Sequence, residues 1–278
     1  MDFKGVEILT EALHLPDYHG KVARHHHLRP EWPRERIDEV GEQLDRLGLQ
    51  AVCISISSDF LQPSRGSVQG DVDEVCANVD LASRLRAPLV RAFATNRLPD
   101  GMDRDTAIGT IAAALRLCGR HAASRGVRIA VENHGEWPAI AQNIVDVIRA
   151  TDSPSVGLTA HVPHVFPTTP AELIREAPGK IWHLHLSDDK PRHWSRARPL
   201  YRLGYAREQI AAELAIPIEE VPAEGVAVGE GGADIPGIIR ALRATGYSGW
   251  FNHEGSPERY PEPTEIRSYA YLRRILAE

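Results

Sequence analysis

Short β-rich runs alternate with longer amphipathic segments along the chain, and this alternation constrains the fold more than any other feature. Seven runs are predicted to be strands, at residues 6–9, 51–56, 89–93, 128–132, 155–159, 181–186 and 249–254. The segments between them carry apolar residues at helical spacing, as Ile37, Val40 and Leu44 do. Strands joined by crossover helices form parallel sheets. Because the units repeat without a break in pattern, we predict an α/β fold built as a TIM-type (β/α) barrel rather than a doubly wound sheet.

The length of the chain fits one barrel. Such barrels commonly take about 250 residues, and this chain has 278. We therefore expect a single domain over residues 1–278, with a long insertion at about 190–232 before the seventh strand. Connections of this length are uncommon unless they carry function. The GEGG run at 229–232 follows no clear strand, which favours a turn over a phosphate-binding loop.

Composition and charge narrow the class of partner. The net charge of −6 argues against broad binding to nucleic acid or to anionic membranes. The N-terminal residues lack the basic start and apolar run of a signal peptide, and no stretch is long enough for a membrane span. Three widely spaced cysteines without a CxxC pair indicate free thiols in a reducing compartment. We expect a cytoplasmic protein that binds a small molecule.

Four successive predicted strands end in metal-ligand chemistry. Glu132 ends the fourth run and His161 follows the fifth; His183 and His185 lie in the sixth, and Glu254 ends the seventh. Catalytic residues of a parallel barrel lie at the C-terminal ends of its strands. One polar residue at a strand exit is commonly a helix cap, but four in succession indicate a site.

Strand geometry predicts which side chains face inward. Residues i and i+2 share a face, so His183 and His185 point inward together, whereas Trp182, Leu184 and Leu186 are expected to point outward to the helices. By the same rule, Ala130 lies on the face of Glu132 and Asn252 on the face of Glu254.

Two carboxylates and two imidazoles suit Mn²⁺, Fe²⁺, Co²⁺ or Zn²⁺, and suit Ca²⁺ poorly. We therefore predict one divalent metal site, and the alternative is a set of hydrogen-bonded polar residues in the barrel core. The predicted ligands are Glu132, His161, His185 and Glu254. The neighbouring His134 and His253 are expected to support these ligands or to face the substrate. His183 is open to a structural role or to substrate contact.

Four segments resemble the xylose isomerase-like superfamily of sugar isomerases and epimerases. They are VENHG at 131–135, GLTAHVPH at 157–164, HLHLSD at 183–188, and the region 228–255 that ends in FNHEG. The resemblance implies a TIM barrel with one divalent ion, often Mn²⁺, held by Glu, Asp, His and Glu. Matched motif to motif, these ligands fall on Glu132, on position 161, on His185 and on Glu254.

This chain departs from the family pattern in two places. The Asp position holds His161, while His164 keeps the histidine that follows it. The change removes one negative charge and favours borderline metals over Mg²⁺. The residues DFKGVEIL at 2–9 resemble the family's second strand, so the first βα unit is expected to be missing. We expect a barrel of seven strands, or one whose gap is filled by the insertion or a partner chain.

The resemblance also implies an activity. It indicates an isomerase or epimerase of a sugar, keto-sugar or polyol, in which a metal-stabilised enediolate forms when a proton next to a carbonyl is removed. Glu132 and Glu254 would be the acid and base, and His164 would steer a substrate hydroxyl. The insertion opens with residues 190–202, which hold five Lys or Arg and no acid. This run is either a solvated loop or a site for a carboxylate or phosphate, with Arg192 as the first candidate.

Three other functions stay open. The same metal and base suit a lyase that acts on an oxidised sugar or glycoside by β-elimination, C-glycoside cleavage, retro-aldol cleavage or decarboxylation. A degenerate barrel would suit a non-catalytic accessory subunit, and homo-oligomers or a partner subunit are compatible with the missing unit. Apurinic-site endonucleases share the fold, but they use further His and Asp ligands that this chain lacks, and the acidic net charge disfavours nucleic acid.

Overall fold

A parallel sheet of seven strands forms the centre of the chain in a computed structural model, in the order β1-β2-β3-β4-β5-β6-β7. The strands are β1 (Gly5–Leu9), β2 (Gln50–Ser55), β3 (Leu89–Phe93), β4 (Arg128–Glu132), β5 (Val156–Val162), β6 (Ile181–Leu186) and β7 (Trp250–His253). The structure describes residues 3–10, 28–63, 65–162, 170–188, 196–197, 200, 203, 205–221, 226–254 and 262–277. Each strand pairs in parallel with the next, which confirms the predicted TIM-type barrel.

Helices follow the strands and cover the outside of the sheet. Within the described residues they are α1 (Arg34–Leu47), α2 (Val68–Arg84), α3 (Arg104–Arg125), α4 (Ala141–Thr151), α5 (Pro170–Glu176), α6 (Arg207–Leu214), α7 (Ile235–Ala244) and α8 (Glu262–Ala277), with a 3₁₀ turn at Ile218–Glu220. None of these helices is long and apolar enough to cross a membrane.

Local sequence sets several helix ends. The side chain of Ser67 accepts a hydrogen bond from the Gly70 N–H at the start of α2, and that of Asp103 accepts one from the Thr106 N–H at the start of α3. Helix α3 ends at Gly126, whose φ of 68° lies in the left-handed region that favours glycine. The helices that space the strands therefore begin and end on local signals.

Buried apolar residues around the sheet form two clusters because the strands have two buried faces, and a third cluster of Ala197, Ile210, Leu214 and Val221 lies within the insertion. Outward-facing apolar residues of the strands, Leu184 and Leu186 among them, join the helices in one large cluster. A smaller cluster of Val52, Cys53, Leu89 and Ala130 fills the inside of the barrel near the N-terminal ends of the strands, with Trp182 and Trp250 packed against it.

The position of Trp182 corrects one prediction. We expected its ring to point outward, but it packs on the inner cluster. The pairing of β5 with β6 shifts here, since Leu158 pairs with Ile181 and the next residue, Thr159, pairs with His183. Gly157 makes room for the ring, because a Cβ there would lie 2.7 Å from it. An irregularity of one residue thus reverses the face of Trp182 without moving His183 or His185 from the interior.

The barrel is nearly closed. In the part of the chain that the structure describes, β1 and β7 do not pair through their backbones. A cleft of about 450 Å³ runs along this seam, and its lining includes residues of β1 and β7 together with Arg91 and His185. The expected count of seven strands is confirmed. Whether a partner chain or the insertion covers the seam, and whether residues 1–278 form one domain, stay predictions.

Candidate metal centre

The C-terminal ends of four strands bring together the four predicted ligands. Glu132 is the last residue of β4, His161 lies near the end of β5, His185 lies in β6, and Glu254 directly follows β7. One possible ligand atom from each lies within 4.8 Å of the others. Three of the side chains are buried, whereas 44% of the Glu254 side chain is exposed. The cluster can hold a metal ion that a ligand reaches from the Glu254 side.

The separations of the ligand atoms fit a single ion. The Nδ1 atom of His185 lies 3.4 Å from Oε1 of Glu132 and 3.7 Å from Oε2 of Glu254. The Nε2 atom of His161 lies 3.0 Å from the same Glu254 oxygen. Ligands about 2.1 Å from one ion lie roughly 3.0–3.4 Å apart in octahedral or tetrahedral geometry. Among the described residues, Nδ1 of His185 is buried without a hydrogen-bond partner, so no hydrogen bond competes with an ion for this atom.

His161, in the position where the family has Asp, contacts both carboxylates of the cluster. Its Nδ1 atom pairs with Glu132 and its Nε2 atom with Glu254. The side chain of Asn133 holds the His161 backbone on both sides: it accepts from the His161 N–H at 2.7 Å and donates to the His161 carbonyl at 3.2 Å. The imidazole is therefore fixed between the two glutamates.

Glu7 in β1 belongs to this region, although the sequence patterns did not single it out. Its carboxylate lies 2.8 Å from Nε2 of both His183 and His185. It also accepts hydrogen bonds from Asn252 at 2.6 Å and from the hydroxyl of Ser55. A glutamate inside the short apolar run VEIL was the only sequence signal for this role, and a charge buried in a barrel strand needs partners.

Arg91 in β3 is the second residue that the patterns missed. Its Nε atom lies 3.1 Å from Oε2 of Glu132 and 3.9 Å from Oε1 of Glu7. The guanidinium also donates to the Ile56 carbonyl at 3.1 Å and lies over the ring of Phe93. The arginine inside LVRAF marked it in the sequence. It places a permanent positive charge beside two buried carboxylates.

These charges shift the protonation equilibria of the site. Burial would raise the pKa of Glu132, but Arg91, His185 and His161 outweigh burial and hold that pKa well below its ordinary range. Burial likewise opposes ionisation of Glu7, yet His185 and His183 lower its pKa. Burial would lower the pKa of His185, but Glu7 and Glu132 raise it well above its ordinary value. The carboxylates are thus ionised, and a metal ion would displace a proton from His185.

The remaining predicted site residues lie in different surroundings. His134 is close to the cluster, with Nδ1 3.6 Å from Oε1 of Glu132. His183 is fully buried on Glu7, which favours support of the site over substrate contact. The Nδ1 atom of His253 lies 2.7 Å from Glu265 of α8. His164 and Arg192 lie outside the described residues. The assignment of these five residues to substrate binding stays a prediction.

The GEGG run forms a turn, as predicted. The buried carboxylate of Asp188, just after β6, accepts hydrogen bonds from the backbone N–H groups of Gly229, Gly231 and Ala233 at 2.9, 3.0 and 3.2 Å. An internal carboxylate therefore occupies the N–H groups that a phosphate would need.

Comparison with known proteins identifies the family. The family model described as the xylose isomerase-like TIM barrel matches residues 1–275, so the chain belongs to this family, and the predicted resemblance is confirmed. No curated protein matches the sequence significantly.

Solved structures share the fold at low identity. A D-tagatose 3-epimerase-like protein has a TM-score of 0.67 at 16% identity, covering 100% of this chain and 90% of its own. The IolI protein, solved with a bound zinc atom, has a TM-score of 0.66 at 16% identity, covering 87% and 81%. The probable 3-DHS dehydratase AsbF from Bacillus anthracis has a TM-score of 0.64 at 14% identity, covering 88% and 82%. At these identities the likeness shows the fold.

Proposed function

We propose that the protein is a divalent-metal-dependent isomerase or epimerase of a sugar, keto-sugar or polyol, which removes a proton from the carbon next to a carbonyl. The observation that carries this proposal is the cluster of Glu132, His161, His185 and Glu254, with one ligand atom of each within 4.8 Å of the others. The D-tagatose 3-epimerase-like protein and the zinc-bound IolI protein, which share the fold, support the same reading. Mn²⁺ and Zn²⁺ are the ions to test first.

The four clustered residues would hold the ion, and the Nδ1 atom of His185, which makes no hydrogen bond within the described residues, is the clearest ligand position. A bound divalent ion supplies Lewis-acid polarisation of a substrate carbonyl, which makes the neighbouring C–H more acidic. His161 brings no negative charge, so the residues leave the ion a stronger net cation than Glu, Asp, His and Glu would.

The two glutamates differ in access. Glu254 is partly exposed on the cleft, whereas 1% of the Glu132 side chain is exposed. We therefore assign the first proton transfer to Glu254, which a substrate meets from the open side. Glu132, which is ionised beside Arg91 before the reaction, would exchange a proton with the other face of the substrate carbon. Return of the proton on the other face inverts the carbon, and return to the neighbouring carbon isomerises the sugar.

Elimination from an oxidised sugar or glycoside is the second candidate. It begins with the same proton removal, after which a substituent leaves from the next carbon. His161 in place of Asp leaves the site a stronger net cation, which would favour the departure of an anionic leaving group. The probable dehydratase among the structural neighbours has the same fold. A released product distinguishes this reaction, because isomers and epimers keep the mass of the substrate.

The test is solvent exchange. Chelator-treated protein, reloaded with Mn²⁺ or Zn²⁺, is incubated in deuterated water with keto-sugars and oxidised glycosides and followed by NMR. Deuterium should enter next to the carbonyl only in loaded protein, and Glu254→Gln should slow this by about 100-fold or more. Glu42→Gln is the matched control, since its side chain is 70% exposed on α1. The proposal fails if loaded protein holds far less than one ion per chain and exchanges no substrate.

A further inference from the structure

The two ring nitrogens of His185 lie in opposite surroundings. Nδ1 faces Glu132 and Glu254, and it makes no hydrogen bond to any residue that the structure describes. Nε2 lies 2.8 Å from one oxygen of Glu7 and 3.1 Å from the other. The ring therefore separates the proposed metal cluster from the carboxylate of β1.

This arrangement selects one protonation form of the ring. A neutral imidazole carries its proton on one nitrogen and offers a lone pair on the other. An ionised carboxylate only accepts hydrogen bonds, so Glu7 favours the form of His185 with the proton on Nε2. The lone pair then lies on Nδ1, the atom that faces the cluster. Carboxylates that hold metal-binding histidines in this way also fix the orientation of the ring.

Glu7 is itself held firmly. His183 of β6, Asn252 of β7 and Ser55 of β2 all hydrogen-bond to its carboxylate, and 6% of its side chain is exposed. Contacts from three strands leave the carboxylate little freedom to rotate away from His185. The position of Glu7 is thus set by the barrel rather than by β1 alone.

We propose that Glu7 is the positioning residue of the metal centre: it holds His185 with the proton on Nε2 and the Nδ1 lone pair directed at the ion. This inference rests on the metal-binding function proposed above. Glu7 also lies near Cys53 and His183, and one ligand atom from each of these three residues lies within 4.8 Å of the others. If Glu7 instead bound a second ion with that pair, loaded protein would contain two ions per chain.

The first experiment measures Zn²⁺ affinity by competition with a chromophoric chelator. Glu7→Gln should weaken binding by about 10- to 100-fold, because the neutral amide removes the negative charge that favours a proton on Nε2 of His185 and replaces one accepting oxygen with an NH₂ donor. The control is Asp80→Asn, which makes the same acid-to-amide change beside His121 on the outside of the barrel, at 2.9 Å. This control should bind Zn²⁺ as the wild type does. Near-ultraviolet circular dichroism checks that both variants are folded.

The second experiment needs no variant at position 7. Long-range ¹H–¹⁵N NMR of zinc-loaded wild-type protein, with His185→Gln used to assign the signals, should show Nδ1 of His185 bound to the metal and Nε2 protonated. Metal on Nε2, unchanged affinity in Glu7→Gln, or loss of a second ion in that variant would each overturn the role of Glu7 while leaving the metal centre intact. A wild-type protein that binds no Zn²⁺ would overturn both proposals.

Discussion

Replacement of Arg91 by methionine tests how the site tolerates its buried charges. Arg91 lies between Glu132 and Glu7, and 7% of its side chain is exposed. Methionine keeps much of the apolar stem of the side chain and removes the guanidinium. Without a metal ion, the variant leaves two buried carboxylates, Glu132 and Glu7, with histidines as their remaining cationic partners among the described residues. We expect a large loss of stability in metal-free protein and a smaller loss in metal-loaded protein.

The size of the effect follows from the burial of the pair. Removal of one partner from a buried ion pair costs about 3–5 kcal/mol, because the other charge stays buried and uncompensated. An entropy of unfolding of about 2.1 cal/mol/K per residue gives roughly 0.6 kcal/mol/K for this chain. The melting temperature, Tm, of metal-free Arg91→Met should therefore fall by about 5–9 °C. A divalent ion brings positive charge to Glu132, so saturating Zn²⁺ should recover part of that loss.

Differential scanning calorimetry with chelator and with saturating Zn²⁺ measures both values. Arg86→Met is the matched control: Arg86 pairs with Asp45 at 2.7 Å, but 71% of its side chain is exposed, so its loss should stay within about 1 kcal/mol. Arg91→Lys keeps the charge and should lie between the wild type and Arg91→Met. A fall of less than about 2 °C in metal-free Arg91→Met, or the same fall with and without Zn²⁺, would refute this account of the charges.

Two further predictions concern stability. The pKa of His185 is raised in the folded protein, so protonation of its ring stabilises the metal-free fold. This contribution is fully present below the unfolded pKa of about 6.5, and it is lost as pH rises through the higher folded pKa. The free energy of unfolding of metal-free protein, measured by urea denaturation, should decline above about pH 6.5, and His185→Gln should reduce this decline. Equal slopes of the free energy of unfolding against pH in the two proteins would contradict the assignment. Gly157→Ala should cost about 1–3 kcal/mol by calorimetry, because its Cβ would lie 2.6 Å from the Lys180 carbonyl. In the control Gly109→Ala in α3, the new Cβ meets nothing within 4 Å, so this change should increase stability by about 0.5–1 kcal/mol. Equal effects of the two changes on stability would contradict the crowding at Gly157.

The secondary structure followed from local patterns to a large extent. Helix α1 covers the segment in which the spacing of Ile37, Val40 and Leu44 predicted a helix, and strands β3, β4 and β6 have the predicted bounds. Strand β5 is longer than predicted and extends to Val162. His161 therefore lies inside a strand rather than in the loop after it, and pairing with β6 sets its direction. Local patterns located this residue, but sheet pairing oriented it.

The convergence of Glu132, His161, His185 and Glu254 was open to sequence reasoning because each lies at or near the C-terminal end of a parallel strand, and such ends meet on one side of a barrel. The places of Glu7 and Arg91 were not. Glu7 meets His185 across a separation of 178 residues, and only the curvature of the sheet brings the first strand to the sixth. The inward turn of Trp182 depends on a one-residue irregularity in pairing, which no local pattern encodes. The sequence by itself thus determined the strands, the barrel and the four clustered residues. Tertiary structure decided which buried charges surround those four residues, because contacts such as those of Glu7 and Arg91 arise only when distant strands close around a common interior.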